Sequence, residues 1–338
     1  MAAISSAWAW DIDGMVSRVV KFGAHGFKPS PLHAPDRNWS EGNCYTDLWI
    51  AVLHSLGLEP RACLGPTLAC GFNADQWTFF KPSAVYLYRL YGVVIEEMTV
   101  YRSLLSHCQA HIAAGQLPLV EVDSFFLPDT QQTDYRKHHS KTTIALNALD
   151  ANKRKLEYFH NAGYFVLQGD DFDGVIRLRE KAASEFLPPY CETVKFEHVT
   201  QRENDELKTL ARNMAVTFVQ SRPEENPIQL FAGSINDTLT QLAGLDESAF
   251  HAWVFASLRQ LGAGFELAAI HLRWLASAEE KELFDAARHF DLVAGTAKML
   301  VMKTARMAMS GKVKSLSEPL SEMEAQLNTA YALIEDHL

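Results

Sequence analysis

Residues 42–58 read GNCYTDLWIAVLHSLGL, a short polar segment followed by a run with apolar residues at helical spacing. The apolar residues between Leu48 and Leu56 recur at intervals that predict a mostly buried helix, and Gly57 stands where a helix C-cap is favoured. Cys44 therefore opens a core helix. Unpaired N–H groups and partial positive charge at such a terminus stabilise a thiolate, which makes Cys44 a candidate nucleophile. The alternative is a small buried hydrophobic residue.

The composition limits the classes of protein to which the chain can belong. Its 338 residues, 48% hydrophobic and 21% charged, suit a globular protein of about two domains. A formal net charge of −10 argues against nucleic acid or an anionic membrane as partner, and no apolar run is long enough for a transmembrane helix. Five cysteines in an odd set, with no signal-peptide pattern, predict a cytoplasmic protein.

The periodicity of the chain changes near residue 195. Residues 117–128, 142–150 and 155–167 are extended segments rich in β-branched and aromatic residues, which predicts an antiparallel sheet. Apolar spacings of three and four fill the rest of the chain. We therefore expect an α+β domain over 1–195 and an all-α helical domain over 196–338.

Shorter elements are predicted before the sheet. DQWTFFK (75–81) is typical of a strand, and residues 83–92 of a helix ended by Gly92. Thr99 is the predicted N-cap of a further helix that runs to Gly115. A helical domain of the size of 196–338 often supplies the interface of a homodimer, although no sequence pattern here identifies such an interface.

A cysteine nucleophile requires a histidine to take its proton and a third group to orient that histidine. DYRKHHSK (134–141) offers His138 and His139 just before a predicted strand, and the next strand carries His160 and Asn161. Antiparallel pairing could bring a base at one strand entrance close to an amide on its neighbour. His139 is the preferred base.

Five segments together resemble a known family: GNCYTDLWIAVLHSLGL, DQWTFF, GQLPLVEVDSFFLPDT, DYRKHHSKTTIALNALD and LEYFHNAGYF. The chain is similar to the papain-like acyltransferases related to the butirosin-biosynthesis aminoacyl transferase, as a branch of that group. The resemblance implies a papain-like fold and a cysteine that accepts an acyl group from a carrier-protein phosphopantetheine thioester and passes it to a small amine. It implies Cys44 as nucleophile and Asn161 as the residue that orients the histidine.

The sequence departs from the family pattern at the base. In the relatives the histidine opens the strand directly, and Thr142 holds that place here, with His139 three residues earlier. Thr142 cannot serve as a base. Either His139 reaches the site through a bulge, another residue serves, or catalysis has been lost.

The predicted catalytic residues are therefore Cys44, His139 and Asn161, with no metal and no bound cofactor. Further candidates for contacts to substrate or oxyanion are Asn38, Ser40, Asn43, Asp123, His138 and Thr142. The predicted partners are an acyl or aminoacyl carrier protein and a small-molecule amine acceptor. The alternatives are a cysteine peptidase or amidase that admits water to the same site, and a papain-like binding protein without catalysis.

Three other patterns bear on binding sites. HCQAH (107–111) has histidines at zinc-helix spacing but no second ligand pair, and GDDFDG (169–174) is more typical of a solvated turn than of a calcium loop. Glu266 and Arg273 are either buried polar groups that point toward the cleft or a surface pair. A basic cluster near the C-terminus is either a solvated helix face or a docking face for an acidic carrier. The cluster consists of Lys298, Lys303, Arg306, Lys312 and Lys314.

Overall fold

The structure, a computed structural model, describes residues 18–22, 26–178, 187–242 and 247–338. A six-stranded antiparallel sheet with flanking helices is followed by a region made of helices, which confirms the predicted α+β class with an antiparallel sheet and helical C-terminal region. No helix in these described ranges combines the length and the hydropathy needed to cross a bilayer.

The six-stranded sheet holds the β3-β8-β4-β5-β6-β7 order, with all neighbouring strands antiparallel. Its strands are β3 (Val94–Glu97), β4 (Leu117–Asp123), β5 (Lys141–Asp150), β6 (Lys155–His160), β7 (Gly163–Gln168) and β8 (Cys191–Lys195). The predicted segments 117–128 and 142–150 contain β4 and β5. The prediction of one extended segment over 155–167 is wrong, because the chain turns at Asn161 and forms the β6–β7 hairpin. DQWTFFK contains only the two-residue strand β2 (Gln76–Trp77), which pairs with β1 (Phe72–Asn73).

Among the described residues, four α-helices belong to the same part of the chain as the sheet. They are α1 (Cys44–Ser55), α2 (Ala84–Tyr91), α3 (Leu104–Ala113) and α4 (Asp170–Val175). Gly57 and Gly92 both adopt left-handed backbone conformations just after α1 and α2, as their predicted capping roles require. The prediction that Thr99 caps α3 is wrong, because the Ser103 hydroxyl accepts from the Ser106 N–H and starts the helix four residues later.

The two faces of the sheet are covered by different helices. Residues directly opposite one another in antiparallel strands point to the same face. One row across the sheet consists of Glu192, Leu119, Ala145 and Phe159. The Tyr45 hydroxyl of α1 donates to the Glu192 carboxylate at 2.8 Å, so we call this the α1 face. The opposite face carries Val122, Ile144 and Tyr158, which pack with residues of α3 and α4 and form the α3/α4 face.

The remaining helices form the second part of the fold. They are α5 (Asn204–Gln220), α6 (Pro227–Leu242), α7 (Glu247–Val254), α8 (Gln260–Leu275), α9 (Lys281–Ser310) and α10 (Ser317–His337), with a π-helical turn at Phe255–Arg259. α8 is buried along nearly its whole length and packs against α9, which packs in turn against α10.

The chain divides into two compact units that differ from the predicted 1–195 and 196–338. The sheet unit contains the described residues up to His33, Cys44–Pro60 and Ser83–Arg202. The helical unit contains Ala34–Asn43, Arg61–Pro82 and Glu203–Leu338. Two segments from the first 82 residues therefore belong to the helical core, a consequence of long-range packing that periodicity does not reveal.

Candidate functional site

Cys44 differs from the other cysteines of the chain in accessibility. It is half-buried at the first residue of α1, whereas Cys63, Cys70, Cys108 and Cys191 are buried, and all five thiols are free. Burial raises the pKa of Cys70 to about 12 and that of Cys191 to about 11. Cys44 is therefore the thiol that a solvent-borne reagent or substrate can reach.

His139 forms a pair with Asp123 at the end of β4. The His139 Nδ1 atom lies 2.5 Å from the Asp123 carboxylate, and the imidazole stacks on the Phe125 ring at 4.5 Å between centroids. The His139 side chain is 70% exposed. A carboxylate on Nδ1 fixes the imidazole tautomer and leaves Nε2 to exchange a proton, which is the arrangement of a general base.

Asp123 places this pair on the α1 face. It lies four residues after Leu119 on β4, and side chains alternate along a strand, so the two residues point to the same face. The carboxylate that holds His139 and the helix that begins at Cys44 therefore occupy one face of one sheet. Within the described residues, however, no imidazole hydrogen-bonds the Cys44 sulfur, so the structure does not join Cys44 and His139 directly.

A second histidine–carboxylate pair lies on the α3/α4 face. His160 is buried, with Nδ1 2.5 Å from Asp129 and Nε2 2.8 Å from the Thr142 hydroxyl. The Tyr158 hydroxyl also donates to Asp129. Both His160 nitrogens are occupied, which suits a structural network better than a proton shuttle. Thr142, a sequence candidate for contact with substrate, is instead a partner of His160.

The hydrogen bonds around His139 differ from the sequence prediction. Asn161, the predicted orienting residue, lies in the turn between β6 and β7 with φ near 47°. The group that hydrogen-bonds His139 Nδ1 is instead the Asp123 carboxylate. The sequence predicts Asp123 only as a contact to substrate or oxyanion. Asp123 and His139 are sixteen positions apart in the sequence, and the pairing of β4 with β5 brings them together. His138, next to the pair, is exposed.

The segment before Cys44 belongs to the helical unit. The Asn38 N–H donates to the Glu266 carboxylate at 3.1 Å, and the Trp39 N–H at 3.0 Å. Asn43 is buried, and its amide donates to the Phe80 carbonyl at 2.9 Å. Ser40 is half-buried. The Asn43 side chain is thus held inside the helical unit, whereas Asn38 is bonded through its backbone N–H and its side chain is exposed.

The Glu266 carboxylate also accepts from the Arg37 guanidinium at 2.7 Å. It is thus a buried polar anchor for residues 37–39. Arg273 pairs with Asp291 on the surface. Neither alternative for Glu266 and Arg273 therefore holds, because only Glu266 is buried and the two do not pair.

The side chains of the two motifs considered as metal sites, HCQAH and GDDFDG, form hydrogen bonds or ion pairs with nearby residues. His107 Nε2 accepts from the backbone N–H groups of Tyr101 and Arg102, and His111 Nδ1 lies 2.8 Å from the Gln116 side chain. Residues 170–175 form α4 and not the predicted turn, and Asp171 and Asp173 there pair with arginines. No group of three metal-ligating side chains occurs within the part of the chain that the structure describes.

The fold and the site define an α+β protein with an accessible cysteine at a helix N-terminus and a histidine–carboxylate pair on the face that this helix covers. The DUF1839 N-terminal domain matches residues 28–196, and the DUF1839 C-terminal domain matches residues 204–336. The chain belongs to the DUF1839 family. A comparison with curated proteins finds no match.

Proposed function

We propose that the chain is a cysteine-dependent acyltransferase in which Cys44 takes an acyl group from a carrier-protein phosphopantetheine thioester and passes it to a small amine. The observation that carries this proposal is the single accessible thiol at the first residue of α1, at the positive end of the helix dipole. A papain-like fold for the sheet unit and a reducing, cytoplasmic setting for the five free thiols belong to the same proposal.

His139 is the proposed base in place of the residue that the family pattern puts at Thr142. His139 Nε2 accepts the Cys44 proton, and the thiolate attacks the thioester carbonyl. The bond from the carbonyl carbon to the donor sulfur breaks, and the departing thiol takes the proton. Asp123 stabilises the imidazolium that forms between these events. Catalytic contacts often tighten only when substrate is bound, so His139 need not touch Cys44 in the free protein.

The second half-reaction returns the thiol to its starting state. The acceptor amine attacks the acyl-Cys44 carbonyl, a C–N bond forms, and the C–S bond breaks. His139 passes the amine proton to the Cys44 sulfur. Exchange of one thioester for another is nearly isoenergetic, whereas amide formation from a thioester runs downhill, so transfer depends on the amine competing with water. Entry of water would give the amidase-type alternative.

Acylation of Cys44 by thioesters tests the proposal. The intact protein, incubated with acyl thioesters, should gain one acyl mass that Cys44→Ala lacks. His139→Gln and Asp123→Asn should slow the acylation by about 10² or more, the usual range for loss of a general base or its orienting group. The measurement is the rate of adduct formation by mass spectrometry.

Two neighbouring residues provide matched controls. His138→Gln removes the adjacent exposed imidazole, and Glu121→Gln removes the carboxylate two residues before Asp123 on the same face of β4. Both should acylate at the wild-type rate. An adduct of equal size on Cys44→Ala would exclude Cys44 from the reaction, and equal slowing by His138→Gln would exclude a specific role for His139.

A further inference from the structure

One side of α9 is exposed, apolar and basic. Leu292, Met299, Met302 and Met309 are separated by seven, three and seven residues, so they lie along one side of the helix. Met302 is 60% exposed and Met309 is 89% exposed. The opposite side of α9 is buried against neighbouring helices. We call this side, with its basic residues, the α9 methionine face.

The charge of this face is opposite to that of the whole chain. Residues 292–317 contain five basic residues and no Asp or Glu, in a chain whose net charge is −10. Lys298, Lys303 and Arg306 lie on α9, and Lys312 and Lys314 follow its last residue, Ser310. Charge segregated in this way produces a local positive potential that an acidic surface would complement.

Most of these cations form no ion pair within the described part of the chain. Elsewhere in the helical unit, Arg212 pairs with Glu280, and Arg222 pairs with Glu335. Lys298 lies over the Trp39 ring at 4.6 Å. Lys303, Arg306, Lys312 and Lys314 make no ion pair with any residue that the structure describes. Their charges are available to a partner.

We infer that the α9 methionine face docks an acidic protein, namely the carrier of the proposed reaction, so this inference rests on the proposed function. Exposed methionines adapt to irregular apolar surfaces, and the flanking cations would pair with acidic side chains of the partner. An anionic membrane fits less well, because an extended plane would also meet the net negative charge of the rest of the molecule.

Carrier binding and Cys44 acylation can be measured separately. The full chain with Cys44→Ala, titrated with a dye-labelled acyl carrier protein, should bind it in a salt-dependent way. Lys303→Glu with Arg306→Glu should weaken binding about tenfold or more. With Cys44 present, that double variant should lose the same factor of acylation rate from carrier-bound thioester, but keep its rate with the same acyl group on N-acetylcysteamine.

Lys281→Glu with Arg288→Glu is the matched control. Within this pair, Lys281→Glu alone is the stricter comparison with Lys303→Glu alone, because Lys281 lies about 33 Å along the helix axis from Lys303 whereas Arg288 is one turn from Leu292. Lys281→Glu should leave carrier binding and acylation unchanged. Met302→Gln should weaken carrier binding without a change of charge.

Each outcome decides one of the two proposals. If the double variant at Lys303 and Arg306 is acylated at the wild-type rate from both donors, the docking surface is overturned and the proposed function is retained. If carrier binding is salt-dependent and requires Lys303 and Arg306 but no acylation occurs, the proposed function is overturned and the docking surface is retained. Two other results would overturn the carrier as occupant. One is binding only to phosphatidylserine vesicles, and the other is a dimer, seen by light scattering, that the double variant abolishes.

Discussion

At the scale of single residues, the buried His271 couples the stability of the helical unit to pH. It is fully buried in α8, and its Nδ1 lies 2.8 Å from the Arg61 carbonyl. Burial lowers the pKa of His271 from 6.5 to about 4. The folded state therefore keeps this imidazole neutral at a pH where the unfolded chain protonates it. The unfolded state binds more protons between these values, so stability falls as pH drops from 6.5 toward 4.

Replacement of His271 tests this linkage. A shift of this size corresponds to a loss of about 3 kcal/mol in the free energy of unfolding by pH 4. His271→Gln keeps a donor for the Arg61 carbonyl but does not titrate, so its stability should fall less between pH 6.5 and pH 4.5. Urea unfolding at several pH values measures the difference. His337→Gln, which removes an exposed histidine, should retain the wild-type slope, and an unchanged slope in His271→Gln would contradict the assignment.

The candidate site was predictable at the residues whose local sequence limits their position. Cys44 opens a helix because apolar periodicity begins just after it, and its half-exposed position follows from that terminus. The partner of His139 was not predictable, because Asp123 reaches it through the pairing of β4 with β5. Strand register also decides that Thr142 points to the α3/α4 face and not to the α1 face of Asp123, because neighbouring residues of a strand point to opposite faces.

At the scale of elements, α8 depends on a glycine that permits close packing. A Cβ on Gly262 would lie 2.3 Å from the Trp39 indole, whereas one on Gly233 in α6 would meet no atom within 4 Å. Gly262→Ala should therefore destabilise the protein by about 1–3 kcal/mol through overpacking, against a gain of up to about 1 kcal/mol in helix propensity for Gly233→Ala.

Thermal unfolding of the two alanine variants checks this contrast. The same chemical change should lower the midpoint at Gly262 and leave it unchanged or higher at Gly233. Trp39 fluorescence should also shift in Gly262→Ala, because the indole must move from α8. Equal unfolding midpoints for the two variants would contradict this prediction, because they would show that α8 and Trp39 can move apart with little loss of stability.

Sequence patterns predicted the regular elements better than their ends. The helix from Cys44 and the strands β4, β5 and β6 appear where apolar periodicity placed them, because each buries one face. The turn that separates β6 from β7 was not predicted. The cap of α3 depends on which hydroxyl reaches a free N–H, and Ser103 does so in place of Thr99. DQWTFFK has the composition of a strand, but only two residues find a partner.

At the scale of the whole molecule, the helical unit is assembled from distant parts of the chain. The Trp39 indole donates to the Ala294 carbonyl at 3.0 Å, and the Tyr331 hydroxyl donates to the Leu68 carbonyl at 3.1 Å. Phe72 and Phe231 pack edge to face at 5.4 Å between ring centroids. Residues 34–43 and 61–82 thus supply part of the core around α6, α8, α9 and α10.

This assembly predicts that residues 203–338 do not form the native helical unit alone. The isolated fragment would expose the apolar surface that Trp39 and Phe72 cover and would leave the buried Glu266 carboxylate without its three donors. Loss of the partners of one buried charge costs about 3–5 kcal/mol, so the unfolding midpoint should fall by about 10 °C or more relative to this unit in the full chain.

Calorimetry and binding of a hydrophobic dye measure the effect. The control is the full chain cleaved at a protease site inserted between Arg202 and Glu203, which breaks the same bond but retains residues 34–43 and 61–82. The cleaved chain should keep the intact midpoint and bind little dye, because its core is complete. A fragment 203–338 that unfolds cooperatively at that same midpoint would show that the two upstream segments rest on a core already stable without them.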